Sequence, residues 1–453
     1  MPEGEKIKDN DILQSSQVPG LAKLLARHGS FDYMGFMQTS RRSFVKALAT
    51  GAGAVSVLQA RAAAPKKAKD ATDEALDAAA AKPVFVRAFF KDPVILESVQ
   101  LLRKGRLHFV RVRSKDGAEG ISVDNGRADV LHAIFNKLIG PYFAGKDARD
   151  LEEHLFGVYR HSDNYKFQGL ALWCPVALVE FAILDMLGRI AKKSIGELLG
   201  GVVRSRAPFY IASGRRDTTP EQEIVYLRHL IEESGAKAIK YRVGGRMNRN
   251  LDAMPGRTET LIPLTRKEFG DKMVIHADAN SSYDPPHAIK VGRMLEDIGA
   301  AFFEEPCPFD DFDSTRQVAD ALKIPIALGE QESSEWRFKF TIRSGVADVI
   351  QPDLFYYGGL IRSIRVARMA AVRDLPATPH ISGGFGFVYM LHYCSCVSNI
   401  GPWQEYKEGV KQFGDWFNPA LRIEDGAITI PHGDGCGIAN PKELLKEAEV
   451  VSV

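Results

Sequence analysis

The feature of this sequence that most constrains its fold is a set of eight short apolar segments that alternate with helix-like segments after Arg206. These segments are 209–212, 238–243, 274–278, 301–304, 326–330, 348–353, 377–380 and 402–405. A strand followed by a helix, repeated along the chain, is the signature of a parallel barrel. The sequence therefore predicts eight β/α units.

Nearly every one of these segments ends in a polar or charged residue. The residues are Ser213, Lys240, Arg242, Asp278, Glu304, Glu330, Asp353, His380 and Glu405. In a (β/α)8 barrel the carboxyl ends of all strands meet at one face, and that face carries the chemistry. Polar groups at the ends of buried strands are costly unless they face a shared site. We therefore expect a functional site at this end of the barrel.

A different pattern flanks the barrel region. Segments 84–90 and 107–112 are strand-like, and residues 129–200 follow helical spacing. Together they indicate a compact α+β unit. Residues 419–453, with the sequence at 418–429, are typical of a closing hairpin, and we expect this tail to pack back on the α+β unit.

The predicted fold class is therefore α/β. A modified (β/α)8-type barrel is expected over residues 206–405, with an α+β domain formed by residues 84–205 and by the C-terminal tail, residues 406–453.

The N-terminal region has the composition of a targeting segment. Residues 40–46 have the sequence Ser-Arg-Arg-Ser-Phe-Val-Lys, a Gly/Ala-rich stretch follows at 47–60, and small residues stand at A-x-A spacing at 60–64. Paired arginines before a weakly apolar stretch and a small-residue cleavage site are typical of a twin-arginine signal. An amphipathic helix with a chance Arg-Arg pair is the alternative.

We interpret residues 1–64 as a signal region and residues 65–83 as a low-complexity linker. The twin-arginine export machinery is thus an expected partner, and the expected location is the periplasm.

Composition excludes several classes of protein. The 453 residues are 45% apolar and 26% charged, and 59 basic against 57 acidic residues give no bias toward nucleic acid. We find no apolar run of the roughly 20 residues that a membrane span requires, and we expect no stable span. Five scattered cysteines do not form a disulfide framework.

Three carboxylates end three successive apolar segments at a constant interval. Asp278, Glu304 and Glu330 are each 26 residues apart, which is about the length of one β/α unit. Neighbouring strands would place these acids side by side, and a hard divalent cation such as Mg²⁺ would relieve their repulsion. The alternative is that one or two of them are buried ion-pair or helix-capping residues.

Several motifs of the chain together resemble the enolase superfamily, in particular its mandelate-racemase-like branch. The motifs are Lys240-Tyr241-Arg242, Glu304-Glu305-Pro306, Gln351-Pro352-Asp353, Thr378-Pro379-His380 and Trp403-Gln404-Glu405, together with Asp278 and Glu330. The resemblance covers nearly all of residues 84–453 and implies that the α+β domain caps a barrel. It also implies even-numbered homo-oligomers.

The resemblance implies that Asp278, Glu304 and Glu330 are ligands of Mg²⁺. Glu304 rather than Glu305 is taken as the ligand, because alternation along a strand lets only one of them point inward. The implied reaction removes the proton α to a substrate carboxylate and forms an enolate.

The resemblance also implies roles for the remaining site residues. His380 is the candidate general base and Asp353 the residue that orients its ring. Lys240 would stabilise the enolate, and Glu405 stands where the family places an acid that hydrogen-bonds the substrate carboxylate.

Arg242 departs from the family pattern, in which a second lysine often serves as a base on the opposite face. A guanidinium group is a poor base because it is effectively always protonated. With one competent base, loss of a β-hydroxyl is favoured over racemisation, so we expect a Mg²⁺-dependent sugar-acid dehydratase. The alternatives are a racemase or epimerase, with Arg242 as an unusual base, and a non-catalytic protein that binds sugar acids.

Three further residues are candidates for substrate binding. Ser213, Arg215 and Asn280 lie at or just after the ends of the first and third predicted strands. Arg215 could meet the distal groups of a polyol chain, or it could belong to a solvated loop.

Overall fold

The structure, a computed structural model, describes residues 70–247, 249–407 and 410–452. The predicted signal region, residues 1–64, lies outside the described residues, as does the first part of the predicted linker.

An antiparallel meander opens the α+β domain. Its strands are β1 (Leu96–Lys104), β2 (Leu107–Ser114) and β3 (Glu119–Val123), in the order β1-β2-β3. The strand predicted at 84–90 is wrong. The N–H groups of Val84 and Phe85 donate to the carboxylate of Glu152 at 2.8 and 2.7 Å, so these residues have a side-chain partner and do not join a strand.

Helices follow the meander and cover one face of it. They are α2 (Ala128–Ile134), which continues through a π-helical turn into α3 (Gly140–Phe143), then α4 (Leu151–Arg160), α5 (Leu170–Ala191) and α6 (Ile195–Leu198). By length and apolar composition α5 could cross a membrane, contrary to the expectation from the sequence, but 89% of its most apolar stretch is buried inside the protein. It is the central helix of the core.

The barrel consists of parallel strands that alternate with helices. Its strands are β4 (Arg206–Ala212), β5 (Ala238–Arg242), β6 (Val274–Asp278), β7 (Phe302–Glu304), β8 (Ile326–Leu328), β9 (Val349–Ile350) and β10 (Gln404–Tyr406). Its helices are α7 (Pro220–Ser234), α8 (Arg257–Phe269), α9 (Pro285–Asp297), α10 (Phe312–Ala321), α11 (Glu335–Ser344), α12 (Leu360–Val372) and α13 (Gly386–Cys396). Each strand from β4 to β9 pairs with the next, and β10 pairs with β4 to close the ring. The predicted fold class is confirmed.

The seventh barrel position is the least regular. Residues 377–380 form isolated parallel bridges to the β9 side, at Ile350 with Ala377 and at Asp353 with His380. Across the seam to the eighth position, the N–H of Ala377 donates to the carbonyl of Asn399 at 2.8 Å.

The C-terminal tail pairs with both parts of the fold. After α14 (Val410–Phe413), the hairpin of β11 (Ile423–Glu424) and β12 (Ala427–Thr429) pairs antiparallel with β4, so it extends the barrel sheet. The later part of the tail, rather than this hairpin, makes the expected return to the α+β domain. After α15 (Pro441–Leu444), β13 (Glu449–Val450) returns to that domain and pairs with β1.

The predicted linker contains a helix, α1 (Asp73–Ala80), so a simple low-complexity linker is the wrong description of these residues. Thr72 caps its first turn, and Leu76 is fully buried. On α11, Lys339 lies 2.7 Å from a carboxylate oxygen of Asp77 in α1. These contacts fix α1 against the barrel helices. The domain boundaries stay predictions.

Candidate active site

Three carboxylates meet at the mouth of the barrel. Asp278 and Glu304 end β6 and β7, where they are register partners, and Glu330 lies two residues beyond β8. One carboxylate oxygen of each residue lies within 4.8 Å of the other two, and all three residues are buried. The structure thus brings together the acids that the sequence places 26 residues apart.

The donor set and its electrostatics fit a small divalent cation. Burial raises the pKa of Glu304, and the ammonium group of Lys240 opposes this effect. Burial acts in the same direction on Glu330, but His380 and Lys407 help to hold its pKa at about 2. Oε1 of Glu304 is buried without a hydrogen-bond partner in the described parts of the chain. Clustered carboxylate oxygens are the ligands that Mg²⁺ prefers; its binding here stays a prediction.

Two cations reach these acids from β5. Nζ of Lys240 lies 2.6 Å from Oε2 of Glu304 and 2.8 Å from Oε1 of Glu405. The guanidinium group of Arg242 contacts Asp278, its register partner on β6. Burial acts to lower the pKa of Lys240, but the two glutamates outweigh burial and raise it. Lys240 therefore stays protonated at the centre of the site.

His380 and Asp353 form the predicted pair. Nδ1 of His380 lies 2.7 Å from Oδ2 of Asp353, whose other oxygen accepts the N–H groups of Phe355 and Tyr356 at 2.8 and 2.9 Å. A carboxylate held in this way accepts the Nδ1 proton, so whenever the ring is neutral its lone pair is on Nε2. Nε2 lies 3.2 Å from Oε2 of Glu330 and therefore faces the carboxylate cluster.

Lys407 is a residue of this site that the sequence did not predict. Its Nζ lies 2.8 Å from Nε2 of His380 and donates to the carbonyl of Ile381 at 2.7 Å. Burial lowers its pKa, while Glu405, 3.3 Å away, acts in the opposite direction. Lys407 is two residues beyond Glu405, so the alternation of side chains along a strand could have identified it.

Glu405 connects the two halves of the site. Its Oε1 lies against Lys240, and its Oε2 accepts the N–H of Ile381 at 2.8 Å. Burial acts to raise the pKa of this carboxyl, but Lys240 and Lys407 hold it well below the ordinary value. Both carboxylate oxygens therefore contact protein groups, in addition to the predicted contact with substrate.

The three candidate substrate-binding residues have different environments. Ser213 is buried beside β5, where its N–H donates to the carbonyl of Lys240 at 2.9 Å. The guanidinium group of Arg215 is 3.5 Å from the ring centroid of Tyr226 on α7, so it packs on the outer helix layer. Asn280 donates its N–H to Asp278 at 2.8 Å and supports that acid directly.

Glu305 is buried together with Glu304, so the expectation that only one of them points inward is wrong. The backbone of Glu305 has φ +42°, which interrupts the alternation of a strand. Nδ2 of Asn280 lies 3.4 Å from Oε2 of Glu305, so the second glutamate joins the polar network beneath the three acids. Burial raises the pKa of Glu305 well above its ordinary value.

Comparison with known proteins agrees with this geometry. Residues 225–443 match the family model described as enolase C-terminal domain-like. The chain is 29% identical over 337 residues to arabinonate dehydratase of Saccharolobus solfataricus, which covers 72% of this chain and 86% of the relative. It is 28% identical over 333 residues to L-talarate/galactarate dehydratase of Salmonella typhimurium, covering 72% and 78%.

A solved structure from Roseobacter denitrificans, provisionally described as a racemase, superimposes with a TM-score of 0.73 at 34% identity. The match covers 79% of this chain and 99% of that one. The fold and the site define a barrel enzyme with a capping α+β domain and a three-carboxylate centre at the barrel mouth. The chain belongs to the enolase superfamily.

Proposed function

We propose that this chain is a Mg²⁺-dependent hydro-lyase that removes water from a sugar acid. The observation that carries the proposal is the His380–Asp353 pair, whose Nε2 faces the carboxylate cluster at 3.2 Å from Glu330. The names of two curated relatives, arabinonate dehydratase and L-talarate/galactarate dehydratase, support the substrate class.

The proposed reaction begins with transfer of the proton α to the substrate carboxylate onto Nε2 of His380. Asp353 holds the Nδ1 proton and stabilises the imidazolium that forms. Lys240, which stays protonated, stands beside the carboxylate oxygens on which negative charge develops. A Mg²⁺ ion held by the three acids would supply Lewis-acid stabilisation of the same charge. The α proton and the β-hydroxyl are lost together as one water, and the enol that remains tautomerises to a 2-keto-3-deoxy acid.

Arg242 supports dehydration over racemisation. A racemase needs a base on each face of the α carbon, whereas the guanidinium group of Arg242 is effectively always protonated and contacts Asp278. The 34% identical structure described provisionally as a racemase keeps a racemase or epimerase as the second candidate. Solvent deuterium that enters the recovered substrate without any loss of water would identify that activity.

We propose further that the protein is exported to the periplasm by the twin-arginine route and assembles into a homo-oligomer. The Ser-Arg-Arg-Ser-Phe-Val-Lys sequence at 40–46 and the A-x-A spacing at 60–64 support export.

The test is a screen of mono- and diacid sugars with the chain that starts at Asp70, with Mg²⁺ and after EDTA treatment. We expect a 2-keto-3-deoxy product from at least one acid, and loss of that product on chelation that added Mg²⁺ restores. Asp278→Asn is the matched variant, because it removes one donor from the three-acid cluster. Binding of acids without any turnover would contradict the proposal and support a binding protein.

A further inference from the structure

The seam between the seventh and eighth barrel positions brings a second nitrogen to the catalytic imidazole. Nζ of Lys407 lies 2.8 Å from Nε2 of His380 and 2.7 Å from the carbonyl oxygen of Ile381. Glu405 lies on another side of the same ammonium group, with its Oε2 at 3.3 Å. The carbonyl of Ile381 and the carboxylate of Glu405 therefore hold Nζ of Lys407 beside Nε2 of His380, the atom to which the proposed function assigns proton abstraction.

Dehydration requires two proton transfers at adjacent carbons. The α carbon loses a proton, and the β-hydroxyl, which is a poor leaving group, must gain one as its C–O bond breaks. A lone imidazole must serve both atoms in turn. Nε2 of His380 and Nζ of Lys407 are in direct contact, and the α carbon and the β-hydroxyl are also neighbours. The two nitrogens can therefore serve the two substrate positions at the same time.

We propose that Lys407 is a second catalytic residue, the acid that protonates the departing β-hydroxyl; this inference rests on the proposed function. The C–H bond breaks and its proton goes to Nε2 of His380, while its electron pair forms the enolate. That pair then forms the C=C bond as the C–O bond breaks, and the oxygen leaves as water with a proton from Lys407. Transfer of the proton on His380 to the Lys407 amine restores both groups, so the net change is the loss of one water.

Two other cations at the barrel mouth, Lys240 and Arg242, have different partners. Lys240 is held between Glu304 and Glu405 at 2.6 and 2.8 Å. Arg242 contacts Asp278, and a guanidinium group does not readily release a proton. Lys407 combines an exchangeable ammonium proton with direct contact to the base. The two proton-transfer groups lie on one side of the site, so elimination is expected to be syn.

The test measures α-proton abstraction and loss of the β-hydroxyl separately in the variant Lys407→Met. The substrate is the sugar acid that the wild type dehydrates fastest. In D₂O we expect dehydration to fall about 100-fold or more, the usual range for losing a general acid, while deuterium still enters the α position within about fivefold of the wild-type rate. With the 3-deoxy-3-fluoro analogue of that acid, loss of fluoride is expected at a near wild-type rate, since fluoride leaves without a proton.

Lys407→Arg and Lys411→Met are the controls. Arginine keeps the charge but is a poor proton donor, so Lys407→Arg is expected to lose dehydration and retain exchange. Lys411 lies on α14 and pairs with Glu233 at the surface, so Lys411→Met is expected to behave as the wild type. Magnesium titration and the thermal midpoint report whether each variant is folded.

If the wild type is active, two results would overturn the role of Lys407. An unchanged dehydration rate in Lys407→Met excludes it, and an equal fall in exchange, dehydration and fluoride loss indicates a purely structural residue. A wild type that dehydrates none of the acids overturns the proposed function instead, and the role of Lys407 with it.

Discussion

At the scale of single residues, the proposed reaction depends on which ring nitrogen of His380 carries a proton. With the Nδ1 proton held by Asp353 at 2.7 Å, the neutral ring has its lone pair on Nε2, the nitrogen that lies 3.2 Å from Glu330 and 2.8 Å from Nζ of Lys407. Since Asp353 is itself fixed by the N–H groups of Phe355 and Tyr356, the ring has little freedom to turn.

We predict that His380→Asn removes turnover and keeps binding of Mg²⁺. Loss of a general base costs about 10²- to 10⁴-fold in rate, and asparagine keeps a polar group near Asp353. Steady-state kinetics and calorimetric titration with Mg²⁺ measure the two effects separately. A variant that retains its rate would place the base on another residue.

At this scale, the sequence predicted those site residues that recur at a regular spacing along the chain. Asp278, Glu304 and Glu330 could be found because each ends a strand of the same repeating unit. Glu305 could not be placed, because its φ of +42° is a local backbone feature that no periodicity reveals. Arg215 was ambiguous, since a residue just past a strand can turn either to the site or to the outer helices.

At the scale of elements, a buried acid fixes the start of a barrel helix. Glu180 on α5 accepts the N–H groups of Leu360 and Ile361, the first residues of α12, at 2.6 and 2.9 Å. Gly359, which precedes α12 with φ +114°, leaves room for this carboxyl, since a Cβ there would stand 2.0 Å from Oε2 of Glu180. One acid thus joins the capping domain to the barrel.

We predict that Glu180 makes stability depend on pH. Burial raises its pKa to about 8, from an ordinary value of 4.5 in the unfolded chain. Between these values the folded state holds a proton that the unfolded state releases, so the free energy of unfolding falls as pH rises. Relative to Glu180→Gln, which does not titrate, the wild type should lose more than about 1.4 kcal/mol from pH 5 to pH 8, the value of one pKa unit. Urea unfolding at both pH values measures this difference, and parallel curves would contradict it.

Helices and strands could be predicted wherever burial of one face makes apolar residues recur at a regular spacing along the sequence. The strands β4 to β8 were expected from their apolar runs, and the helical spacing before residue 200 is present in α5. Residues 84–90 have an equally apolar pattern, but Glu152 takes their N–H groups, a contact between positions more than 60 residues apart that sequence pattern cannot show. Residues 377–380 form bridges only.

At the scale of the whole molecule, the folded region begins before the predicted linker ends. Leu76 of α1 is fully buried, and Arg343 on α11 lies 2.8 Å from a carboxylate oxygen of Asp73. The alanine-rich composition of this segment suggested a low-complexity linker. Its few apolar and charged side chains contact helices that are distant in the sequence, so the sequence pattern alone did not reveal the helix. The barrel with its capping domain was predictable as a class, whereas the pairing of the C-terminal hairpin with β4 was not.

We predict that a chain starting at Pro83 is less stable than one starting at Asp70. Losing the burial of Leu76 alone costs about 2 kcal/mol, because a buried leucine side chain contributes roughly that amount. Thermal and urea unfolding of the two chains measure the difference. Leu76→Ala in the longer chain is the matched control and should account for much of it; equal stability of both chains would show that α1 is dispensable.

The seam beside His380 has a consequence for how this enzyme can diverge. Across it, Oγ1 of Thr378 accepts the N–H of Gly401 at 3.2 Å, and Glu405 accepts the N–H of Ile381 at 2.8 Å. Side chains here add to the main-chain bond from Ala377 to Asn399, whereas β10 and β4 are joined by regular strand pairing. A descendant that replaced Glu405 to change its substrate specificity would also lose the hydrogen bond to Ile381 that joins the barrel at this seam. Selection for new substrates should therefore act first at positions outside the seam.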